Sequence, residues 1–418
     1  MGVKRLHIQS RTNSRRKTVY LCGAGGKGNI GAEAIMLSII KMFQDRYADV
    51  HFIINSWNTD RIQELLIQLD DDFTNFTLMR ERILANPSSI AEADIFIICG
   101  DVSISETVVS FLPVYYAIRT ISPRLLNKRV IFLGIEAEKV KKWMNIFALK
   151  YLLRWTTDYH VLRNEMSLNN LKYFPFRKNV LLLGCEPTLM LSSEHLEGFE
   201  HHDDRISNSK FLVGFGVRDL FSTSFKLDIL NLRLRRRDVP TGSITDEMRR
   251  IIHFTAAIAD YLVEKYDAQP VFIPHHFLPK SERVILPDSE IAEMIINEMK
   301  TPNEAVILRN NLHPFQIINF YKRLDLVFSM RHHTNSFAYL NAVPTFGYGI
   351  SEKIFNFFHE IDQNNMLIDP YSPEINEIES RIDKIILNRK KISEELRVGI
   401  EKAKQRMIYA FDKSLKGF

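Results

Sequence analysis

From Thr18 onward the chain alternates short apolar runs with longer amphipathic ones. TVYLC precedes a helical pattern over residues 32–46, HFIINS one over 60–68, and ADIFIIC one over 105–121. RVIFLGI leads into a helical stretch over 140–155, DYHVLR into a short helix, and NVLLLG closes this first series. Brief runs with few polar positions suit strands covered on both faces, and their alternation with helices predicts a parallel sheet between helical layers. Polar residues dominate from Ser192 to Lys210, the best candidate for a linker. The alternation then resumes with FLVGFGV, a helix over 245–266, PVFIP, a helix over 288–299, EAVIL, a helix over 314–321, LDLVFS and TFGYG. From about Glu374 the pattern is helical and charged, a terminal element able to cross back to the first domain.

The expected fold is therefore α/β: a basic tail (1–17), a Rossmann-like domain (18–200), a second Rossmann-like domain (208–373) and C-terminal helices (374–418). Two such domains facing each other put strand ends, and so ligands, in the central cleft. The length of 418 residues suits two domains. A net charge of +5 is only mildly basic, and no basic run is interleaved with aromatics, so nucleic acid is not an expected partner. Cys22, Cys99 and Cys185 each end an apolar run without metal-ligand spacing, as buried thiols in a reducing compartment do. The positively charged N-terminus has no apolar core of a secretory signal, Leu6 stands where myristoylation needs Ser or Thr, and no run approaches a membrane span. A cytoplasmic location follows as the expectation.

Residues 324–353 carry the densest chemistry. An apolar strand stops at Arg331, His332 and His333 and turns directly into a helix, so a cationic group stands where backbone N–H groups and the helix dipole favour an anion. The competing use of the same side chains is structural, with the histidines capping the helix and Arg331 paired to a core carboxylate. Arg218, at the end of FLVGFGV, takes the equivalent place on a neighbouring strand, and Lys353 follows the next strand along. His275 and His276 end PVFIP; adjacent strand residues cannot both face one ligand, and His275 is the candidate. In the first domain, the glycines after TVYLC fit the dinucleotide-binding spacing, but HFIINSW ends in Asn55, Ser56 and Trp57 where that fingerprint needs an acid. A phosphate-binding Walker loop fails too, since Gly28 follows Lys27. No spacing of the usual zinc kinds occurs, so no metal is expected.

Gly28-Asn-Ile-Gly-Ala-Glu-Ala resembles the N-terminal motif of the polysaccharide pyruvyl transferase family. Other segments fall into register with it: ADIFIICGDVSISE with Gly100, Asp101 and Glu106, HVLRNEMSLNNL with Asn164 where aspartate is usual, and LLLGCEPTLML with Glu186 in place of aspartate. The most specific match is Asp325, Arg331, His333, Pro344 and Lys353 to the family's C-terminal signature. Departures at Ala32, Asp101, Asn164 and Glu186 lie in the first domain and bear on the acceptor.

The resemblance implies a GT-B-like fold and transfer of pyruvate from phosphoenolpyruvate, a co-substrate rather than a cofactor, onto a sugar or lipid-linked oligosaccharide as a cyclic ketal. It implies a donor site of Arg218, Arg331, His332, His333 and Lys353, with His333 as acid. A carboxylate across the cleft would be the base: Glu33, Asp101 or Glu106, in falling order. Asn29, Gly31, Glu33, Asp101, Glu106 and His275 would meet the acceptor. Two basic segments, Leu232–Arg237 and Lys139–Trp155, are candidates for contact with an anionic membrane at the inner face of the cell, although the second reads first as a helix buried against the sheet. Two rival functions share the architecture: a glycosyltransferase with a nucleotide-sugar donor, for which Glu352 and Glu360 have a suggestive spacing, and a non-catalytic carbohydrate- or anion-binding protein.

Overall fold

The computed structural model describes residues 16–418 apart from positions 24, 27, 70–73, 82–85, 101, 107–109, 177–179, 220–224, 229–232, 237–243, 277–285, 310 and 372–373. The acceptor candidate Asp101 and most of the basic tail lie outside the described residues.

The first domain carries β1 (Lys17–Cys22), β2 (Val50–Ser56), β3 (Phe76–Arg80), β4 (Ile95–Cys99), β5 (Val102–Ile104), β6 (Arg129–Ala137), β7 (Tyr159–Leu162) and β8 (Leu181–Leu183). They form an eight-stranded sheet in the order β3-β2-β1-β4-β6-β7-β8, with β5 added to β6 and every pairing parallel. The second domain carries β9 (Phe211–Gly216), β10 (Phe225–Asp228), β11 (Arg233–Arg236), β12 (Ala268–Phe272), β13 (Val306–Ile307), β14 (Leu326–Ser329), β15 (Thr345–Tyr348) and β16 (Leu367–Ile368). Six of these make a second parallel sheet, β13-β12-β9-β14-β15-β16, while β10 and β11 form a separate antiparallel pair. IFIIC in β4 and LVFS in β14 are buried at every position, which is why they read as unbroken apolar runs. Edge strand β3 is half exposed and shows no such run.

The helix Ile30–Arg46 is buried along nearly its whole length because it is wedged between the domains. Its apolar face joins Leu189, Leu196, Phe315 and Ile318 in a single core spanning both halves. The segment expected as a linker is packed rather than loose: Leu196, Asp203 and Ile206 are buried, and Asn319 donates to the carbonyls of Leu196 and Phe199. The terminal helix Ile375–Ser414 returns to the first domain, where Arg46 pairs with Asp412 and Phe411 meets Phe43 edge-on at 5.0 Å. Cys22, Cys99 and Cys185 are buried and form no disulfide, and burial pushes the thiols of Cys99 and Cys185 up. No helix among the described residues is long and apolar enough to cross a membrane.

Candidate active site

Register places the chemistry of the second domain along one edge. Ser329 of β14 pairs with Gly216 of β9 and Gly347 of β15, and Phe272 of β12 pairs with Phe215. Arg218, His275 and Arg331 therefore leave the sheet side by side, two or three residues beyond their strand ends. The turn at Arg331 is built by Ser329, whose hydroxyl donates to the Arg331 carbonyl and accepts from its N–H, each at 2.9 Å. The helix His332–Leu340 begins at the next residue, which brings both histidines into its first turn. Lys353 is in the first turn of the helix that follows β15 (Glu352–Glu360), one strand farther along.

Arg331, His332 and His333 each meet a carboxylate. The Arg331 guanidinium bonds Asp288, and its Nε donates to the Val217 carbonyl at 3.3 Å. Asp288 opens the helix Asp288–Glu298, is 1% exposed, and also accepts the backbone N–H of His275 and His276 at 2.9 and 3.0 Å. His332 meets Glu186 through Nε2 at 2.6 Å, and His333 meets the same carboxylate through Nδ1 at 3.2 Å. Glu186 comes from the first domain, after β8. Of the two uses the sequence left open, a cationic niche for an exogenous anion and an arginine paired to a core carboxylate, the structure shows the carboxylate pairing for Arg331 and gives both histidines an acid as well. In a site this buried, uncompensated guanidinium or imidazolium charge is costly, and buried ion pairs are the usual solution.

Burial works on both acids, with different results. It pushes the Asp288 carboxyl up, against the pull of Arg331. For Glu186 burial also acts upward, but the charges of His332 and Arg163 and the bonds from both imidazoles hold the carboxyl well below its usual range. Arg163, beyond β7, staples this corner: it donates to the Gly134 carbonyl at 2.6 Å, the Gly100 carbonyl at 2.7 Å and Glu186 at 3.4 Å. A cavity of about 40 Å³ lies beside it, lined by Arg163, Asn164, Glu186, His332, Glu360 and Arg406, where both domains and the terminal helix converge.

The first domain reaches the cluster through its glycine loop. Asn29 caps the helix Ile30–Arg46 by accepting the Gly31 N–H, forms a bridge with His276, and is followed by Ile30 donating to the His275 carbonyl at 3.0 Å. Gly31 is obligatory: a Cβ there would stand 2.0 Å from the His333 ring. Asn29, Gly31, Arg331, His332 and His333 are thus brought together.

Other candidates are not. Glu33 is fully buried and ion-paired to Arg61 at 3.1 Å, with burial pushing its carboxyl up against that pairing. Glu106 caps the helix starting at Trp143, accepting from the Lys141 and Lys142 N–H groups and from Asn145. His275 turns inward: its Nε2 lies 3.0 Å from the Tyr321 hydroxyl and 3.1 Å from that of Thr334, and burial holds the imidazole well below its ordinary range. Glu360 binds Arg406 and the Glu165 N–H, which ties it to the terminal helix and the first domain. Arg163, Glu186 and Asp288 were missed as site residues. The first two lie in segments that the family resemblance already marked, and Asp288 has no local signal.

The sequence model of the polysaccharide pyruvyl transferase family matches residues 29–352. No curated protein matches the chain. Among solved structures, HepE of Anabaena in complex with UDP-glucose is similar at 11% identity and a TM-score of 0.57, over 96% of this chain and 98% of its own. The UDP-GlcNAc 2-epimerase of Neisseria meningitidis bound to UDP-GlcNAc is similar at 11% identity and a TM-score of 0.55, over 95% and 99%. At such identities the likeness is one of fold, two Rossmann-like domains in the GT-B manner.

Proposed function

The chain belongs to the polysaccharide pyruvyl transferase family, and from that premise we propose that it moves pyruvate from phosphoenolpyruvate onto a sugar of a cell-surface polysaccharide, or its lipid-linked precursor, as a cyclic ketal. What supports the donor assignment is the cleft-lining cluster in which His332 and His333 meet Glu186, Arg331 meets Asp288, and His333 lies against Gly31.

The donor carries a phosphate and a carboxylate, and guanidinium groups grip such oxyanions through paired hydrogen bonds. Arg218 and Arg331 stand on adjacent strand ends, and Arg218 lies near enough to Asp288 to pull on its carboxyl. Phosphoenolpyruvate binding at this edge competes with Asp288 for Arg331 and with Glu186 for the imidazoles. Transfer begins with a proton delivered to the methylene carbon, which becomes a methyl group and leaves C2 cationic. One sugar hydroxyl adds to C2 and loses its proton; phosphate then leaves, and a second hydroxyl adds with loss of its proton to close the ketal. His333 is the proposed acid. With Nδ1 held by Glu186, the proton to be transferred belongs to Nε2, and Glu186 orients the ring. Because Glu33 and Glu106 are committed elsewhere, the base that accepts the hydroxyl protons is not assigned to either.

His333→Ala is expected to lower turnover with phosphoenolpyruvate by about a hundredfold or more while the protein stays folded; near wild-type turnover would remove the role. Thermal-shift measurement separates donors. Phosphoenolpyruvate at a hundredfold excess over its dissociation constant stabilises by about 2.7 kcal/mol, and a response to UDP-sugars instead would favour a nucleotide-sugar enzyme.

A further inference from the structure

The helical run after β6 carries an aromatic stripe that is exposed among the described residues. Trp143 is 76% exposed, Phe147 51%, Tyr151 51% and Trp155 44%. They recur every four residues. In a straight α-helix, residues four apart drift around the axis by about 40° per step. Here the middle of the run, Ala148–Leu153, is wound as a wider π-helix, which turns the drift back and keeps the four rings on one side. The opposite side, with Ala148, Leu149 and Leu153, is buried on the domain core. Exposed large apolar groups at this density mark an interaction surface rather than ordinary surface scatter.

The charge around the stripe names the partner. Lys139, Lys141, Lys142, Lys150 and Arg154 are all exposed, and residues 139–157 contain no acid. The nearest carboxylates are engaged: Glu106 by the helix start, the buried Glu138 by the Ser105 hydroxyl, and Asp158 by Arg124 at 3.5 Å. The adjoining helix Leu112–Leu125, joined by the Thr120–Thr156 hydroxyl pair at 2.7 Å, adds Leu125 at 67% exposure.

We propose that this face lies on an anionic phospholipid surface, with the aromatic stripe in the headgroup layer and the five cations over the lipid phosphates. Trp and Tyr favour that layer and cationic side chains favour anionic leaflets. A second copy of the chain fits less well, because a two-fold contact would set five cations against five. The run starts beyond the carboxyl end of β6, whose Gly134 is stapled to Arg163, so the face flanks the cleft of the first domain. Delivery of a lipid-linked acceptor to that cleft follows only if the transferase reading holds; vesicle binding itself does not depend on it.

The full chain is mixed with sedimentable vesicles of phosphatidylcholine alone or in equal parts with phosphatidylglycerol. It is expected to sediment with the mixed vesicles, less so as salt is raised, and to stay in solution with the neutral ones. Trp143→Ser with Phe147→Ser, and separately Lys141→Glu with Lys150→Glu, should each weaken binding about tenfold or more. Neither pair should alter the thermal unfolding midpoint or the shift given by phosphoenolpyruvate. The proposal fails if the wild-type chain ignores the mixed vesicles, or if the aromatic pair binds them as well as wild type, since the basic tail would then carry the attraction. It also fails if the aromatic pair instead dissolves a dimer seen by ultracentrifugation without lipid.

Discussion

Two buried carboxylates stand a few residues from one another's partners, yet they serve opposite ends. Asp288 and Arg331 belong to the same domain, and Asp288 spends its second oxygen on the N–H groups of His275 and His276. Glu186 belongs to the other domain and faces three cationic or potentially cationic groups, Arg163, His332 and His333. Burial penalises both, but only Glu186 has enough positive charge around it to be held well below the ordinary range. The in-domain pair is a brace that survives any opening of the cleft. The cross-domain cluster is a latch, because separating the domains exposes its carboxylate to water and frees both imidazoles.

If Asp288 is the brace, Asp288→Ala is the most damaging single change at the site. It leaves a buried guanidinium and two backbone donors without their acceptor, and the expected loss of stability is about 3–5 kcal/mol. Urea unfolding measures it; a loss below about 1 kcal/mol would mean that water replaces the carboxylate and the brace is dispensable. Glu186→Gln keeps the shape of the latch but removes its charge. A loss of about 1.5–3 kcal/mol is expected, the scale of hydrogen bonds to charged groups. The variant also tests the chemistry. A nearby carboxylate favours the imidazolium form, so without it the alkaline limb of turnover, where the acid loses its proton, should move to lower pH. An unmoved limb with reduced stability would make Glu186 structural alone.

The latch and the brace differ as well in how far the sequence discloses them. Arg331, His332 and His333 stand out because an apolar run ends at them, and a buried strand cannot carry such residues without a purpose. Their partners do not stand out. Asp288 is 43 residues from Arg331, and Glu186 is 146 from His332, so each pairing exists only once the sheets are assembled. Most strands were visible as apolar runs, and Gly31 was visible as part of a motif, although its reason, a histidine ring from the other domain, was not. Three things were hidden for physical reasons. Edge strand β3, FTLMR, mixes polar with apolar positions and is only partly buried, so it shows no unbroken apolar run. β11 was read only as a basic cluster, though its alternating Leu and Arg are strand-like. Glu33 looked like a free acid because Arg61, its partner, reaches it from the next helix.

The smallest effect concerns the groups behind the brace. Beneath Arg331, burial first and then the charges of Arg331 and His333 hold the imidazole of His275 well below its ordinary value. Burial alone brings that of His160, in the core of the first domain, down to about 3. Each must gain a proton on unfolding below the unfolded value of about 6.5 but not while folded. Their contribution is therefore complete above pH 6.5 and lost as pH falls, at about 1.4 kcal/mol per histidine per pH unit until the folded value is reached. The latch behaves differently. Glu186, held below the usual carboxylate range, contributes fully above about 4.5 and weakens only under stronger acid. Stability measured between pH 7 and 5 should consequently fall while the cross-domain carboxylate is still ionised. Replacing His160 by Asn should flatten that slope by one histidine's share, whereas Glu186→Gln, which removes the charge favouring its imidazolium partners, should not flatten it. A slope flattened by Glu186→Gln instead would assign the acid sensitivity to the latch.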